Sequence, residues 1–217
     1  MDNLGVLGNV KGVRVMEEFY QMLNRTVLGQ TVEIKWTQEG RTDLSDEDVL
    51  FILESKTGYY TIGGPMRLGA ILAGATEKQL ADIYEFGKVL GRSFQIVDDL
   101  LDLTSDFKGL KKQTGNDIYE GKRTIMLVHL FREVNGEDKK KLMAVMEKPR
   151  EEKTENEVKW VVGLMKKCGS LDNGKNLAEK FAKQAEEIFE KKLTFLKCQP
   201  ARSQIKAGIE FIIKREY

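Results

Sequence analysis

The chain has 217 residues, with 35 basic and 34 acidic side chains and a formal net charge of +1. This balance provides no argument for a nucleic-acid partner or an anionic membrane. The length, with 41% hydrophobic residues, suits one helical domain over residues 1–217. There is no secretory signal and no apolar run long enough to cross a bilayer. With only two cysteines, Cys168 and Cys198, the chain is predicted to be cytoplasmic.

Helical periodicity dominates, and only three prolines interrupt it. The fold class predicted is all-α, a bundle of long, mostly antiparallel helices. The first predicted helix, over 10–38, has a periodic apolar stripe. In the third, over 77–106, Gly87 and Gly91 are expected to bring a neighbouring backbone close. The stripe consists of Val13, Met16, Tyr20, Leu23, Val27 and Ile34. Helices are predicted over 10–38, 46–75 (bent at Gly63-Gly64-Pro65), 77–106, 122–134, 138–147, 155–168, 174–194 and 199–217.

The third of these helices carries a group of carboxylates on a largely apolar background. Because an α-helix has about 3.6 residues per turn, Gln95, Asp98 and Asp102 share one face, and Asp99 lies beside them. Aspartates on an apolar face need a compensating cation. Paired carboxylates that keep several waters suit Mg²⁺ bound together with substrate phosphates. The alternative is an acidic helix face exposed to solvent.

A basic, glycine-punctuated segment follows these carboxylates. It contains Lys108, Lys111, Lys112, Lys122 and Arg123, with Asp117 among them. Glycines allow tight turns, and lysine offers a point charge to a phosphate. The segment is therefore predicted to be a phosphate-facing loop that enters a helix near Thr124. The lysines taken alone would more often be solvated surface, and it is their order after the carboxylates that favours a diphosphate site.

Together these residues resemble the trans-isoprenyl diphosphate synthases, the farnesyl, geranylgeranyl and longer-chain prenyl diphosphate synthases. Phe94-Gln95-x-x-Asp98-Asp99-x-x-Asp102, followed by Lys112-x-x-Gly115-x-Asp117-x-x-x-Gly121-Lys122-x-Thr124, is similar to the second aspartate-rich region of that family. Gly29-Gln30-x-x-Glu33 and Lys56-Thr57 match two further segments, and Tyr60 stands where the family often has an aromatic residue near the homoallylic substrate.

The resemblance implies a Mg²⁺-dependent prenyltransferase acting on an allylic diphosphate and isopentenyl diphosphate. It implies metal roles for Asp98, a direct ligand, and for Asp99 and Asp102, which bind or orient metal waters. It implies that Lys56, Lys112 and Lys122 hold diphosphate oxygens and that Asp117 orients the loop. It also implies that Gln95 and the Thr57 carbonyl stabilise the carbocation, and that Tyr60 and Phe94 contact substrate. The family is usually dimeric through helices in the region of residues 10–38, so a homo-oligomer is expected.

The sequence also departs from the family. Asp98-Asp99 is the only Asp-Asp pair, and there is no Arg-Arg pair, so the family's first aspartate-rich region is absent, and its N-terminal helices are expected to be missing. The acidic cluster from Asp43 to Asp48 is predicted to be a helix N-cap instead. The chain is then a subunit completed by a second polypeptide, a truncated or proteolysed piece of a synthase, or a non-catalytic regulatory or scaffold partner. A terpene cyclase is a weaker alternative.

Overall fold

The computed structural model describes residues 3–104 and 114–214. These residues form helices and connecting turns without a β-strand, which confirms the all-α class. The α-helices are α1 (Asn3–Leu7), α2 (Asn9–Gln38), α3 (Asp46–Leu53), α4 (Gly64–Leu72), α5 (Glu77–Thr104), α6 (Asn116–Glu120), α7 (Ile125–Glu133), α8 (Gly136–Glu147), α9 (Glu155–Lys167), α10 (Ser170–Lys192) and α11 (Ala201–Lys214). A π-helical segment runs over Glu54–Gly63, and a 3-10 turn over Arg150–Glu152.

The core lies around α5, which packs against α10 on one side and against the π-helical segment on the other. Phe86 of α5 and Phe189 of α10 are fully buried, with their ring centroids 5.8 Å apart. The short helix α7 is buried on nearly all sides, because Ile125, Met126 and Leu130 have no exposed surface. Burial of this extent explains why α7 reads as a continuous apolar run in the sequence.

The stretch predicted as a single helix over 46–75 consists of three elements. The Ser45 hydroxyl accepts from the Asp48 backbone N–H, and Asp48 accepts from the Ser45 backbone N–H, so this acidic cluster is a helix N-cap as predicted. The predicted break at Gly63-Gly64-Pro65 is only the end of the irregular part. The helix already changes hydrogen-bonding pattern at Glu54, ten residues earlier.

The predicted close approach of a backbone to Gly87 and Gly91 is confirmed. A Cβ built on Gly87 would lie 2.4 Å from the Gly63 Cα, and one built on Gly91 would lie 2.2 Å from the Gly58 Cα. Gly64 is also tightly packed, whereas a Cβ built on Gly69 or Gly74 has no neighbouring atom of the described residues within 4 Å. Close packing therefore accounts for Gly64 but not for Gly69 or Gly74.

Helix α2 is confirmed, but its apolar stripe does not face the core. Val13, Met16, Tyr20, Leu23, Val27 and Ile34 are each between 47% and 65% exposed. The buried side of α2 carries small and polar residues instead, namely Gly12, Glu18 and Gly29, together with Met22. The stripe positions alternate by three and four residues from Val13 to Val27, with one step of seven to Ile34, and this is the spacing of a helix–helix seam. We refer to these six residues as the α2 stripe.

Other boundaries differ from the sequence-based expectation for local reasons. Helix α7 begins at Ile125 rather than at Lys122, because the Thr124 side chain accepts from the Leu127 backbone N–H and caps it. The one-turn helix α6 between Gly115 and Gly121 was not predicted. Both glycines have positive φ, 77° and 72°, which supports the predicted tight turns at these positions. Helix α10 begins at Ser170, so Gly174 is inside it, where a Cβ would lie 2.6 Å from the Met126 sulfur.

Candidate active site

The carboxylates of α5 meet the segment after α6 through Asp99. This side chain is 1% exposed and accepts hydrogen bonds at Oδ1 from Lys122 Nζ (2.6 Å) and from Gln95 Nε2 (2.9 Å). Its other oxygen, Oδ2, is buried and has no hydrogen-bond partner among the residues that the structure describes. A buried carboxylate needs a cation, and the Lys122 ammonium is that cation here. The bonded oxygen of Asp99 therefore contacts protein groups.

Lys122 is shared by two carboxylates, because it also donates to Asp117 Oδ2 at 3.1 Å. Burial lowers the pKa of Lys122, but Asp99 and Asp117 outweigh it and raise that pKa above its ordinary value. Burial and the negative charge of Asp99 raise the pKa of Asp117 to about 7. The lysine ammonium therefore stays charged, and the raised pKa of Asp117 keeps that carboxyl protonated at pH values where an exposed aspartate has lost its proton.

The loop that carries Lys122 is fastened to the end of α5 by backbone groups. The Asp117 N–H donates to Asp102 Oδ2 at 2.9 Å, and the Gly115 N–H donates to the Asp102 carbonyl at 2.7 Å. The Lys122 N–H donates to the Asp117 carbonyl at 2.9 Å. Asp117 and Asp102 thus fix the path of the chain from α5 to Lys122. Lys108, Lys111 and Lys112 lie outside the described residues.

The π-helical segment brings Lys56 and Thr57 to the same region. The Thr57 hydroxyl donates to Gln95 Oε1 at 2.6 Å, so Gln95 bridges Thr57 and Asp99. Lys56 Nζ donates to Glu33 Oε2 at 2.8 Å. These contacts join residues 38 and 23 positions apart in sequence.

The acid of the Gly29-Gln30-x-x-Glu33 segment has a role that the sequence left unassigned. Glu33 accepts from both Lys56 and Gln30, the latter at 3.3 Å. Gly29 lets the π-helical segment come close, since a Cβ there would lie 2.9 Å from the Ser55 Cβ. In the sequence, the Gly-Gln-x-x-acid pattern indicated that Glu33 belongs to the site, but it did not indicate that Lys56 is its partner.

A cavity of about 260 Å³ separates the lysine of the π-helical segment from the lysine of the loop. Both ammonium-bearing side chains line it, so a group with several anionic oxygens could contact the two together. Its lining residues, from α2, the π-helical segment, α6 and the turn after it, are Gln30, Glu33, Ile34, Thr37, Gln38, Lys56, Asp117, Glu120 and Lys122.

Other predicted site residues lie outside this cavity. Asp98 is exposed, and no hydrogen bond or ion pair joins its carboxylate to another residue of the described ranges. Tyr60 is 54% exposed, and Phe94 is half-buried against the core. Within 3–104 and 114–214, no three His, Cys, Asp or Glu side chains are grouped as a metal site would require. The carboxylates of Asp98 and Asp102 are nevertheless oxygen donors of the kind that Mg²⁺ prefers, so they fit part of such a site.

Sequence and structure comparisons find similar proteins over most of this chain. The geranylgeranyl diphosphate synthase of Methanosarcina mazei is 28% identical over 96% of this chain and 60% of its own length. The geranylgeranyl diphosphate synthase of Sulfolobus acidocaldarius is 36% identical over 72% of this chain and 46% of its own length. The crystal structure of geranylgeranyl pyrophosphate synthetase from Pyrococcus horikoshii Ot3 superposes with a TM-score of 0.79 at 28% identity, covering 97% of this chain and 61% of that one.

The fold is that of the all-α isoprenoid synthases. The chain belongs to the Polyprenyl synthetase family, whose profile matches residues 3–165. It spans about half to three-fifths of the length of the curated relatives it matches. No helix within the described residues combines the length and the apolar character needed to cross a membrane.

Proposed function

We propose that this chain is a subunit or fragment of a trans-prenyltransferase of isoprenoid biosynthesis, which condenses an allylic diphosphate with isopentenyl diphosphate. The observation that carries the proposal is the convergence of Lys56 and Lys122 on one cavity beside the α5 carboxylates. Two lysines facing one cavity match a diphosphate, and family membership supports this choice of ligand. The two unpaired cysteines agree with a cytoplasmic location.

The residues of the chain would act mainly by binding and orientation. Lys56 and Lys122 would hold the oxygens of the diphosphate and stabilise the charge that builds on it as it leaves the allylic carbon. Gln95 and Thr57, already joined to each other, would direct their oxygens toward the allylic cation. The double bond of isopentenyl diphosphate then attacks that cation, and a proton is lost.

Magnesium would be held by Asp98 and Asp102, and it would supply further positive charge to the leaving diphosphate. Asp99 would act through Lys122, because its Oδ1 accepts from that ammonium group. Asp117 would keep Lys122 and the preceding turn in place. These assignments divide the aspartates between magnesium binding (Asp98 and Asp102) and the positioning of Lys122 (Asp99 and Asp117).

The proposal also includes a partner. The sequence lacks a second Asp-Asp-x-x-Asp region, and the α2 stripe exposes apolar side chains along some six turns of helix. Exposed apolar surface of this extent marks a protein–protein contact. A second copy of the chain, or a second polypeptide that supplies the first aspartate-rich region, would cover it.

Thermal unfolding with inorganic pyrophosphate tests the diphosphate site directly. Pyrophosphate with Mg²⁺ should raise the melting temperature, because a ligand at about 100 times its Kd stabilises the native state by about 2.7 kcal/mol. Asp98→Asn should remove the Mg²⁺-dependent part, and Asp172→Asn, at an exposed site on α10, should leave it unchanged. If pyrophosphate has no effect on the native chain, a scaffold role would replace the proposed one.

Native isolation of the chain tests the partner. A co-purifying polypeptide with an Asp-Asp-x-x-Asp helix would support a split synthase, and prenyl transfer by the complex should require Asp98 of this chain. A complex that turns over normally with Asp98→Ala would contradict the assignment of that residue.

A further inference from the structure

Glu18 is a buried carboxylate that the proposed chemistry does not use. It lies on the inner side of α2, is 4% exposed, and is one of only a few buried charged side chains in the described part of the chain. Burying a carboxylate is costly unless its oxygens are well paired. The donors that surround Glu18 therefore indicate what the residue is for.

Three directional hydrogen bonds satisfy it. Arg67 of α4 binds it bidentately, with Nε to Oε1 and Nη2 to Oε2, both at 2.8 Å. Tyr59 of the π-helical segment donates its hydroxyl to Oε1 at 2.8 Å. Arg67 Nη1 in turn donates to the Leu80 carbonyl of α5 at 2.8 Å. We refer to Glu18, Tyr59 and Arg67 as the Glu18 network, which joins α2, α4, α5 and the π-helical segment.

The network fixes one of two points that flank the site residues. Tyr59 lies two residues after Thr57 on the π-helical segment. On the other side of them, Glu54 accepts from Tyr84 at 2.7 Å and from Arg92 at 3.0 Å. Lys56 and Thr57 are thus held between two anchored residues.

A stacked cation reinforces the anchor at Tyr59. The Arg25 guanidinium lies 4.8 Å from the Tyr59 ring centroid and 5.0 Å from that of Tyr84. The two rings are 5.4 Å apart, and Arg25 also donates to the Tyr84 hydroxyl at 2.7 Å. The two anchored residues of the π-helical segment, Glu54 and Tyr59, are therefore connected to each other through Tyr84 as well as to α2.

Stability alone does not account for such a network, because replacing a buried ion pair with apolar residues is often neutral or favourable. Its directional bonds instead determine how α2 and the π-helical segment are placed relative to each other. That placement decides whether Lys56 meets Glu33 and whether the Thr57 hydroxyl reaches Gln95. π-helical turns inside α-helices are frequent at functional sites, where they redirect side chains.

We propose that Glu18 is a positioning residue: through Tyr59 and Arg67 it holds the π-helical turn in the geometry that presents Lys56 to the diphosphate cavity and Thr57 to Gln95. The consequence for ligand binding rests on the proposed function, whereas the effect on the turn does not. Glu18 lies outside the cavity and acts through its two partners.

Two variants and one control test this role. Glu18→Gln removes the charge, and Tyr59→Phe removes one hydroxyl at nearly constant volume. The control is Glu77→Gln, an exposed carboxylate that also bonds an α2 side chain, Arg14. Hydrogen exchange should become about tenfold faster in the amides of residues 54–63 in both variants, as expected for loss of a bond to a charged group. Amides of α10 should not change, and the control should behave as wild type.

Pyrophosphate affinity with Mg²⁺, measured well below the melting temperature, gives the second readout. Both variants should bind about tenfold more weakly, the size typical of lost supporting contacts. Unchanged exchange in residues 54–63 would overturn the proposal, and so would faster exchange with wild-type affinity. If wild type itself binds no pyrophosphate, the proposed function fails, and the exchange data still decide whether Glu18 holds the turn.

Discussion

Gly91 is the point at which α5 lies closest to the backbone that carries Lys56 and Thr57. A Cβ at this position would lie 2.2 Å from the Gly58 Cα, 2.7 Å from the Gly58 nitrogen and 3.4 Å from the Thr57 carbonyl carbon. The obstructing atoms are backbone, so no side-chain rotation can relieve the contact. Gly91→Ala must therefore move α5 and the π-helical segment apart.

The size of that movement follows from the distances. Ordinary contacts between carbon atoms are about 3.5–4.0 Å, so the two backbones must separate by more than 1 Å. Overpacking usually costs about 1–3 kcal/mol, and the gain in helix propensity from glycine to alanine returns about 1 kcal/mol at most. Because the clash is with backbone, we expect Gly91→Ala to lower the free energy of unfolding by about 2 kcal/mol.

Gly163 provides the matched control. It also lies inside a helix, α9, but beyond its chain neighbours and the backbone of α9 no atom of the described residues is within 4 Å of a built Cβ. Gly163→Ala should raise the free energy of unfolding by about 0.5–1 kcal/mol. Urea denaturation of both variants measures the difference, and pyrophosphate binding should weaken only in Gly91→Ala. If Gly91→Ala were as stable as Gly163→Ala, the close packing of α5 on the π-helical segment would be refuted.

Three further predictions concern the loop lysine, its neighbour and the α2 stripe. Lys122→Met leaves the buried Asp99 carboxylate without its cation and should lower the free energy of unfolding by about 3–5 kcal/mol in urea denaturation. The control Lys191→Met, which removes an exposed pair, should lower it by less than about 1 kcal/mol. Equal losses of stability in the two variants would contradict the pairing of Lys122 with Asp99. The pKa of Asp117 rises from 3.8 unfolded to about 7 folded, so the folded state holds a proton that the unfolded chain has lost, and this group makes stability fall as pH rises through that window. Asp117→Asn should flatten this fall in melting temperature, and an unchanged slope would be inconsistent with it. If the α2 stripe contacts a second copy of the chain as proposed, Leu23→Glu should shift the sedimentation velocity to that of the monomer, because Leu23 is 54% exposed in the single chain. Gln21→Glu, exposed beside the stripe, should leave the sedimentation unchanged. An oligomer that survives Leu23→Glu would show that the stripe is not the contact.

Helical periodicity was enough to locate most elements, because the period of an α-helix is a local property of the chain. It predicted α2 to within one residue at its start and placed the α5 glycines against another backbone. Periodicity could not distinguish a stripe that faces the core from one that faces a partner. The α2 stripe is therefore visible in the sequence, while its exposure is visible only in the structure.

The π-helical segment could not be predicted from the sequence for a related reason. The amino-acid composition of Glu54–Gly63 does not distinguish a helix with i→i+5 hydrogen bonds from one with i→i+4 hydrogen bonds. What supports it is tertiary: the Glu18–Tyr59 bond, the Glu54–Arg92 pair and the packing of Gly58 on Gly91. The start of α7 differed on a finer scale, because the Thr124 cap fixes a boundary that apolar patterning leaves open.

For the site, the sequence alone determined which residue types were present and which of them share a helix face. The spacing of Gln95, Asp98 and Asp102 on α5 and the lysine-bearing turn after it were sufficient for the prediction of a diphosphate site, because these relations lie within one or two turns of chain. Tertiary structure decided which groups meet: Lys122 with the buried Asp99, Thr57 with Gln95, and Lys56 with Glu33. Those contacts join residues 23 to 38 positions apart, and they depend on how whole helices pack, which no local pattern encodes.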